Sequence, residues 1–186
     1  MGPRSSVRDR TSTAILDAAA LVFFREGTGA SIDDVADAAG VGRATVYRYF
    51  ANRDALLHAL LKDALDDMAI RLGEAEIDLA TVPEGVARAA RALVGTSSKY
   101  AFLAHEAKHV EPDEVEERLA APLQALFRRG IADGTLRGDL SEEELGRLFG
   151  GLLQAAVQMT AQGAVGPERA AAMASSVFLE GAAAEK

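Results

Sequence analysis

The chain has 186 residues, of which 49% are hydrophobic, with no cysteine and a formal net charge of −8. That length allows one domain or two small ones, and the apolar fraction is enough to bury a core. The missing cysteine excludes disulfides and thiolate metal sites, and no run of about 18 apolar residues is present to span a membrane.

Alanine, leucine, glutamate and arginine dominate, and no alternating run of Val, Ile and Thr appears, so the expected class is all-α with about nine helices. Residues 1–10 are polar and Arg-rich and read as a flexible arm; no apolar stretch follows their charges, so no signal peptide is expected. A reducing cytoplasm fits the absence of cysteine. Ile15, Ala19, Val22 and Phe23 fall on one helical face, giving a first helix from about Thr11 to Glu26. Gly27 and Gly29 end it. Ser31 and Asp34 have the spacing of a capping box, which opens a short second helix over Ile32–Ala39. Gly40 suits a left-handed turn. A third helix follows over Arg43–Phe50, and Asn52-Arg53-Asp54 starts a long fourth helix reaching Gly73. Further on, Pro83-Glu84 opens a helix towards Thr96, another covers Ser98–His109, and Pro112 starts one that ends near Gly134. Residues 134–140 form a turn. Ser141 and Glu144 make a second capping box, opening a helix to about Gln162, and Gly166-Pro167-Glu168 opens the last helix, which ends near Gly181.

The stretch Ser31–Phe50 carries the functional signal. Ile32, Val35, Ala36, Ala39, Val41, Val46 and Phe50 are its apolar positions, and Ala36 is small where two helices would cross. With Gly40 at the turn, this is the spacing of a helix-turn-helix. The third helix then presents Arg43, Ala44, Thr45, Tyr47, Arg48 and Tyr49 to solvent. Arginine can fork onto guanine, and Thr and Ala can touch thymine methyls in a major groove. Tyrosine hydroxyls and Arg53 suit phosphates, as do the backbone N–H groups at Ser31. Two exposed tyrosines beside arginine are unusual for a plain solvated face.

The acidic total is unevenly spread. Residues 1–53 carry a net charge of +1 and residues 54–186 one of −9. A near-neutral head (1–53) and an acidic body (54–186) suggest two tasks, and DNA binding needs cations placed at phosphates rather than a basic total.

From Ala14 to Leu61 the chain resembles the tetracycline-repressor-like (TetR) family of bacterial regulators. The matching residues are the Phe23–Gly27 helix end, Val35-Ala36, Ala39-Gly40-Val41, Thr45-Val46-Tyr47-Arg48-Tyr49-Phe50, and then Asn52, Arg53, Leu56 and Leu57. Asp33 and Asp34 depart from members that carry basic or neutral residues there. No cofactor is expected, and the resemblance implies a homodimer. Its recognition helices would enter successive major grooves of double-stranded operator DNA roughly 35 Å apart, and a small molecule bound in the helical body would release the DNA. It also implies that the last two helices pair across a two-fold axis. Gly146, Gly150, Gly151, Leu152, Ala155, Ala156 and Met159, with residues 170–174, Val177 and Phe178, leave those helices apolar on more than one face.

The body offers Met68, Leu72, Tyr100, Phe102, Leu103, His105, Phe127, Leu152, Gln154, Gln158 and Met159 as pocket residues, each of which also suits plain core. Without a cationic cluster, they point to a mostly apolar effector with one or two polar handles. One further motif competes. His105-Glu106-Ala107-Lys108-His109 fits H-E-x-x-H, in which two imidazoles one turn apart hold zinc beside a glutamate base. A third ligand is not singled out: His58 precedes the motif, and Glu111, Glu114, Glu116 and Glu117 are equivalent on paper. No catalytic role and no metal are expected, with His105 and His109 as the alternative metal pair.

Overall fold

A computed structural model describes residues 3–97 and 116–183 of the chain. Among these the fold is all-helical, with eight α-helices and no strand; one isolated bridge links Leu136 to Ala183. The described residues divide into two compact units, the first ending at Ala64 and the second beginning at Leu65.

The first unit opens with α1 (Pro3–Glu26). Its helix begins at Pro3 and not at Thr11, so residues expected as an irregular arm are helical. Proline at the first helical position has its φ already set and lacks only an N–H that would be unpaired there in any case. Ile15, Ala19, Val22 and Phe23 are buried, as their shared face requires. A 3₁₀ turn (Gly27–Gly29) leads to α2 (Ile32–Ala38). At its start, Asp34 N–H donates to Ser31 Oγ at 3.2 Å and Ser31 N–H donates to Asp34 Oδ2 at 2.9 Å. The helix stops where Gly40 takes φ +64°. Val41 N–H then reaches back to Ala36 O at 3.0 Å and Gly40 N–H to Asp37 O at 3.1 Å. This pair of bonds closes a helix through a left-handed residue. The next helix, α3 (Arg43–Tyr49), follows at once, and α4 (Arg53–Glu74) begins with Asn52 Oδ1 accepting from Ala55 N–H at 2.8 Å.

The second unit contains the end of α4, then α5 (Val82–Ser97), α6 (Ala121–Ala132), α7 (Glu142–Ala161) and α8 (Pro167–Ala182). Before α6 the backbone widens into a π-turn over Glu116–Ala120. Pro122 accounts for this: it has no N–H to give to the Arg118 carbonyl, and its ring crowds that carbonyl. The core centres on Phe127, Phe149 and Phe178, one from each of α6, α7 and α8, with ring centroids 4.9 to 5.7 Å apart. Such tilted and edge-on pairs add to the stabilisation from buried area. Arg129 ties down the turn between α4 and α5 by donating to the carbonyls of Ile77, Asp78 and Ala80. The connection from α6 to α7 is fixed by Leu136 N–H to Gly130 O at 2.9 Å and Arg137 N–H to Ala182 O at 2.8 Å. Among the described residues no buried side-chain polar atom lacks a hydrogen bond, and no helix is long and apolar enough to cross a membrane.

Candidate nucleic-acid interface

The geometry of α3 follows from one buried residue. Val46 is fully buried. Anchoring the helix there against α2 turns Arg43, Ala44, Tyr47 and Arg48 outward, while Thr45 and Tyr49 are half-buried. A helix held in this way presents a convex, cationic and hydrogen-bonding edge of the width that a major groove accepts.

The exposed side chains are organised. Arg43 Nη1 donates to Asp33 Oδ2 at 2.6 Å and Nη2 to the Tyr47 hydroxyl at 3.4 Å, with the guanidinium carbon 5.4 Å from the Tyr47 ring centroid. The Tyr47 hydroxyl and the Asp33 charge hold Arg43 further toward its charged form. Arg48 lies over the Tyr49 ring at 5.4 Å, and the half-buried Arg53 lies over Phe23 at 5.1 Å. These guanidinium–ring contacts restrict long side chains to few rotamers.

Ser31 caps α2, as its spacing from Asp34 implies. Its amide and hydroxyl both bond the Asp34 carboxylate, which engages its own N–H and sets a negative charge beside the helix start. Asp33 also meets this face, through its bond to Arg43, and the sequence shows only half of this. Its acidity at the start of α2 is visible there, but its bond to a residue ten positions on is not.

In the second unit, a cavity of about 280 Å³ is lined by Ala69, Leu72, Gly73, Ile77, Asp78, Arg118, Pro122, Ala125, Leu126 and Arg129. Its two arginines are committed, Arg118 to Asp66 at 2.5 Å and Arg129 to backbone carbonyls. Of the expected pocket residues, Leu72 lines this cavity. Phe127 sits wholly inside the phenylalanine cluster. Met68 and Leu152 pack partly buried against the core. Met159 is half-buried, and Gln154 and Gln158 are exposed. Tyr100, Phe102, Leu103 and the whole His105–His109 segment lie outside the described residues. Among the described residues no three His, Asp or Glu side chains are grouped to hold a metal. On α7 and α8, Leu148, Met173 and Val177 are exposed at 56%, 40% and 57%.

Comparison with known proteins agrees with this geometry. Residues 15–60 match the profile of bacterial regulatory proteins of the tetR family. The transcriptional repressor KstR2 of Rhodococcus jostii is 30% identical over 149 residues, covering 70% of each chain. The transcriptional repressor LfrR of Mycolicibacterium smegmatis is 52% identical over 62 residues, a stretch that spans 33% of this chain and 32% of LfrR. Among solved structures, LfrR in complex with proflavine superposes with a TM-score of 0.71 at 23% identity, covering 95% of this chain and 99% of that one. FadR of Bacillus subtilis in complex with stearoyl-CoA superposes with a TM-score of 0.75 at 19% identity, covering 91% and 98%. At these identities the solved structures speak for the fold alone. With the profile match, the extended similarity to KstR2 and the exposed face of α3, the chain belongs to the tetR family of bacterial regulatory proteins and is a helix-turn-helix, DNA-binding transcriptional regulator, not an enzyme.

Proposed function

We propose that this regulator is a cytoplasmic repressor that binds operator DNA as a homodimer and leaves it when a small molecule occupies its body. The observation that carries the reading is the outward face of α3, where Arg43, Tyr47 and Arg48 stand together above the buried Val46. Ala44 and the half-buried Thr45 and Tyr49 border that face, and Arg53 and Ser31 flank it, Ser31 as the cap of α2. Residues 1–53 form the DNA-binding head and residues 54–186 the ligand-binding and dimerisation body.

The exposed Leu148, Met173 and Val177 on α7 and α8 support pairing through these helices, because apolar side chains of this size gain from leaving water. The effector is a mostly apolar molecule. LfrR has been solved with proflavine and FadR with stearoyl-CoA, each of which brings a large apolar part to its regulator. The cavity beside Leu72 supports a body site of that character, near the lower size limit for a small-molecule pocket. Ligand and DNA favour different conformers, so each weakens binding of the other. The test is a mobility shift with the DNA upstream of the protein's own coding region at two salt concentrations. Sequence-preferring binding that weakens with salt is expected. Equal binding to that DNA and to a shuffled duplex would contradict it.

A further inference from the structure

Two aspartates open α2 on the side of the head that carries α3, where negative charge opposes DNA. Asp34 is explained by folding, because its carboxylate closes the capping box with Ser31. Asp33 has no part in that box. Its carboxylate instead crosses the turn to Arg43, the first residue of α3, at 2.6 Å.

Both side chains of this pair remain more than half exposed, at 59% for Arg43 and 54% for Asp33. An exposed ion pair adds little to folding stability, and the helix N-terminus would favour an acid here without any bond to Arg43, so stability does not account for the pairing. Its effect on Arg43 is geometric. Asp33 takes one N–H of Nη1, the Tyr47 hydroxyl takes one of Nη2, and the Tyr47 ring lies beneath the guanidinium. The side chain is thereby held from two helices at once. A guanidinium carries five N–H donors. The two contacts leave one donor on each terminal nitrogen as well as the Nε–H, and guanine needs two, for its O6 and N7.

We infer that Asp33 is a positioning residue for base recognition, holding Arg43 against Tyr47 in one orientation so that its remaining donors select a guanine in each operator half-site. Asp33 itself touches no base in this arrangement. It removes the rotamer freedom that Arg43 would otherwise lose on binding, which for one long side chain corresponds to about a 2- to 10-fold effect. It also makes Arg43 a poor partner for bases that cannot accept a fork. The inference rests on the proposed reading of DNA by α3.

The test is selection of bound duplexes from a randomised double-stranded DNA pool by the full chain, in wild-type form and as Asp33→Asn, Asp33→Ala and Arg43→Ala. Thermal unfolding checks that each variant is folded. Wild type should enrich guanine at one position of each half-site, and Arg43→Ala should lose that enrichment. Both Asp33 variants should reduce it by about 2- to 10-fold while preferences at the other positions stay unchanged. Guanine preference retained in Asp33→Asn, with affinity for all duplexes raised equally, would overturn the inference and make Asp33 a repulsive charge only. Absence of any sequence preference in wild type would instead overturn the reading of DNA by α3, and the inference with it.

Discussion

Ser31 and Asp34 share three hydrogen bonds at the first turn of α2: Asp34 N–H donates to the Ser31 hydroxyl, and the Ser31 amide and hydroxyl both donate to the Asp34 carboxylate. Replacing the cap removes an acceptor for a helix N–H and should destabilise the head by about 0.5–2 kcal/mol in Ser31→Ala, measured by thermal or urea unfolding. The Ser31 hydroxyl and amide together hold the Asp34 carboxyl below its ordinary range. A carboxyl depressed in the folded state contributes stability that is complete above its unfolded-state pKa and is lost as the pH falls through its folded-state value. Acidification through and below the ordinary aspartate range should therefore cost wild type more than Ser31→Ala; equal acid sensitivity would contradict it. This box was legible in the sequence because it is local, set by residues three apart. The bond from Asp33 to Arg43 was not, because it depends on how a turn aims two side chains that sequence spacing does not bring together.

Among the elements, the helices of the second unit pack where their sequences leave room. Gly130 on α6 lies so close to Leu136 that an added Cβ would sit 2.7 Å from its Cγ and 2.9 Å from Val82 Cγ1. Gly130→Ala should lower stability by about 1–3 kcal/mol through overpacking. Thermal unfolding checks this, and an unchanged midpoint would show that Leu136 yields without cost. Helix starts at Ser141 and Pro167 were readable from capping and proline chemistry. The role of Phe127 was not: helical periodicity marks a side chain as inward without saying whether it meets a ligand or, as here, two other phenylalanines. The π-turn before α6 also escaped a periodic reading, since it follows from the missing N–H of a single proline.

For the whole molecule, an acidic chain can grip DNA because its charge is divided, with a net +1 over residues 1–53 and −9 over residues 54–186. On the proposed reading, the cationic groups that matter are the few held on α3 and at the start of α4. If the exposed faces of α7 and α8 join two copies, Val177→Glu should place a charge in the joint and yield monomers by analytical ultracentrifugation. Operator affinity should fall with it, because two linked heads bind more tightly than one. A dimer that survives Val177→Glu and Leu148→Glu together would move the joint elsewhere. Hydroxyl-radical footprinting of wild type on a duplex selected from the randomised pool tests the central claim most directly. Two protected segments with centres about 10–10.5 base pairs, or a multiple of that, apart are predicted, both lost in Arg48→Ala. Uniform protection along the duplex, or the same two segments in Arg48→Ala and Tyr47→Ala, would contradict the assignment of base reading to α3.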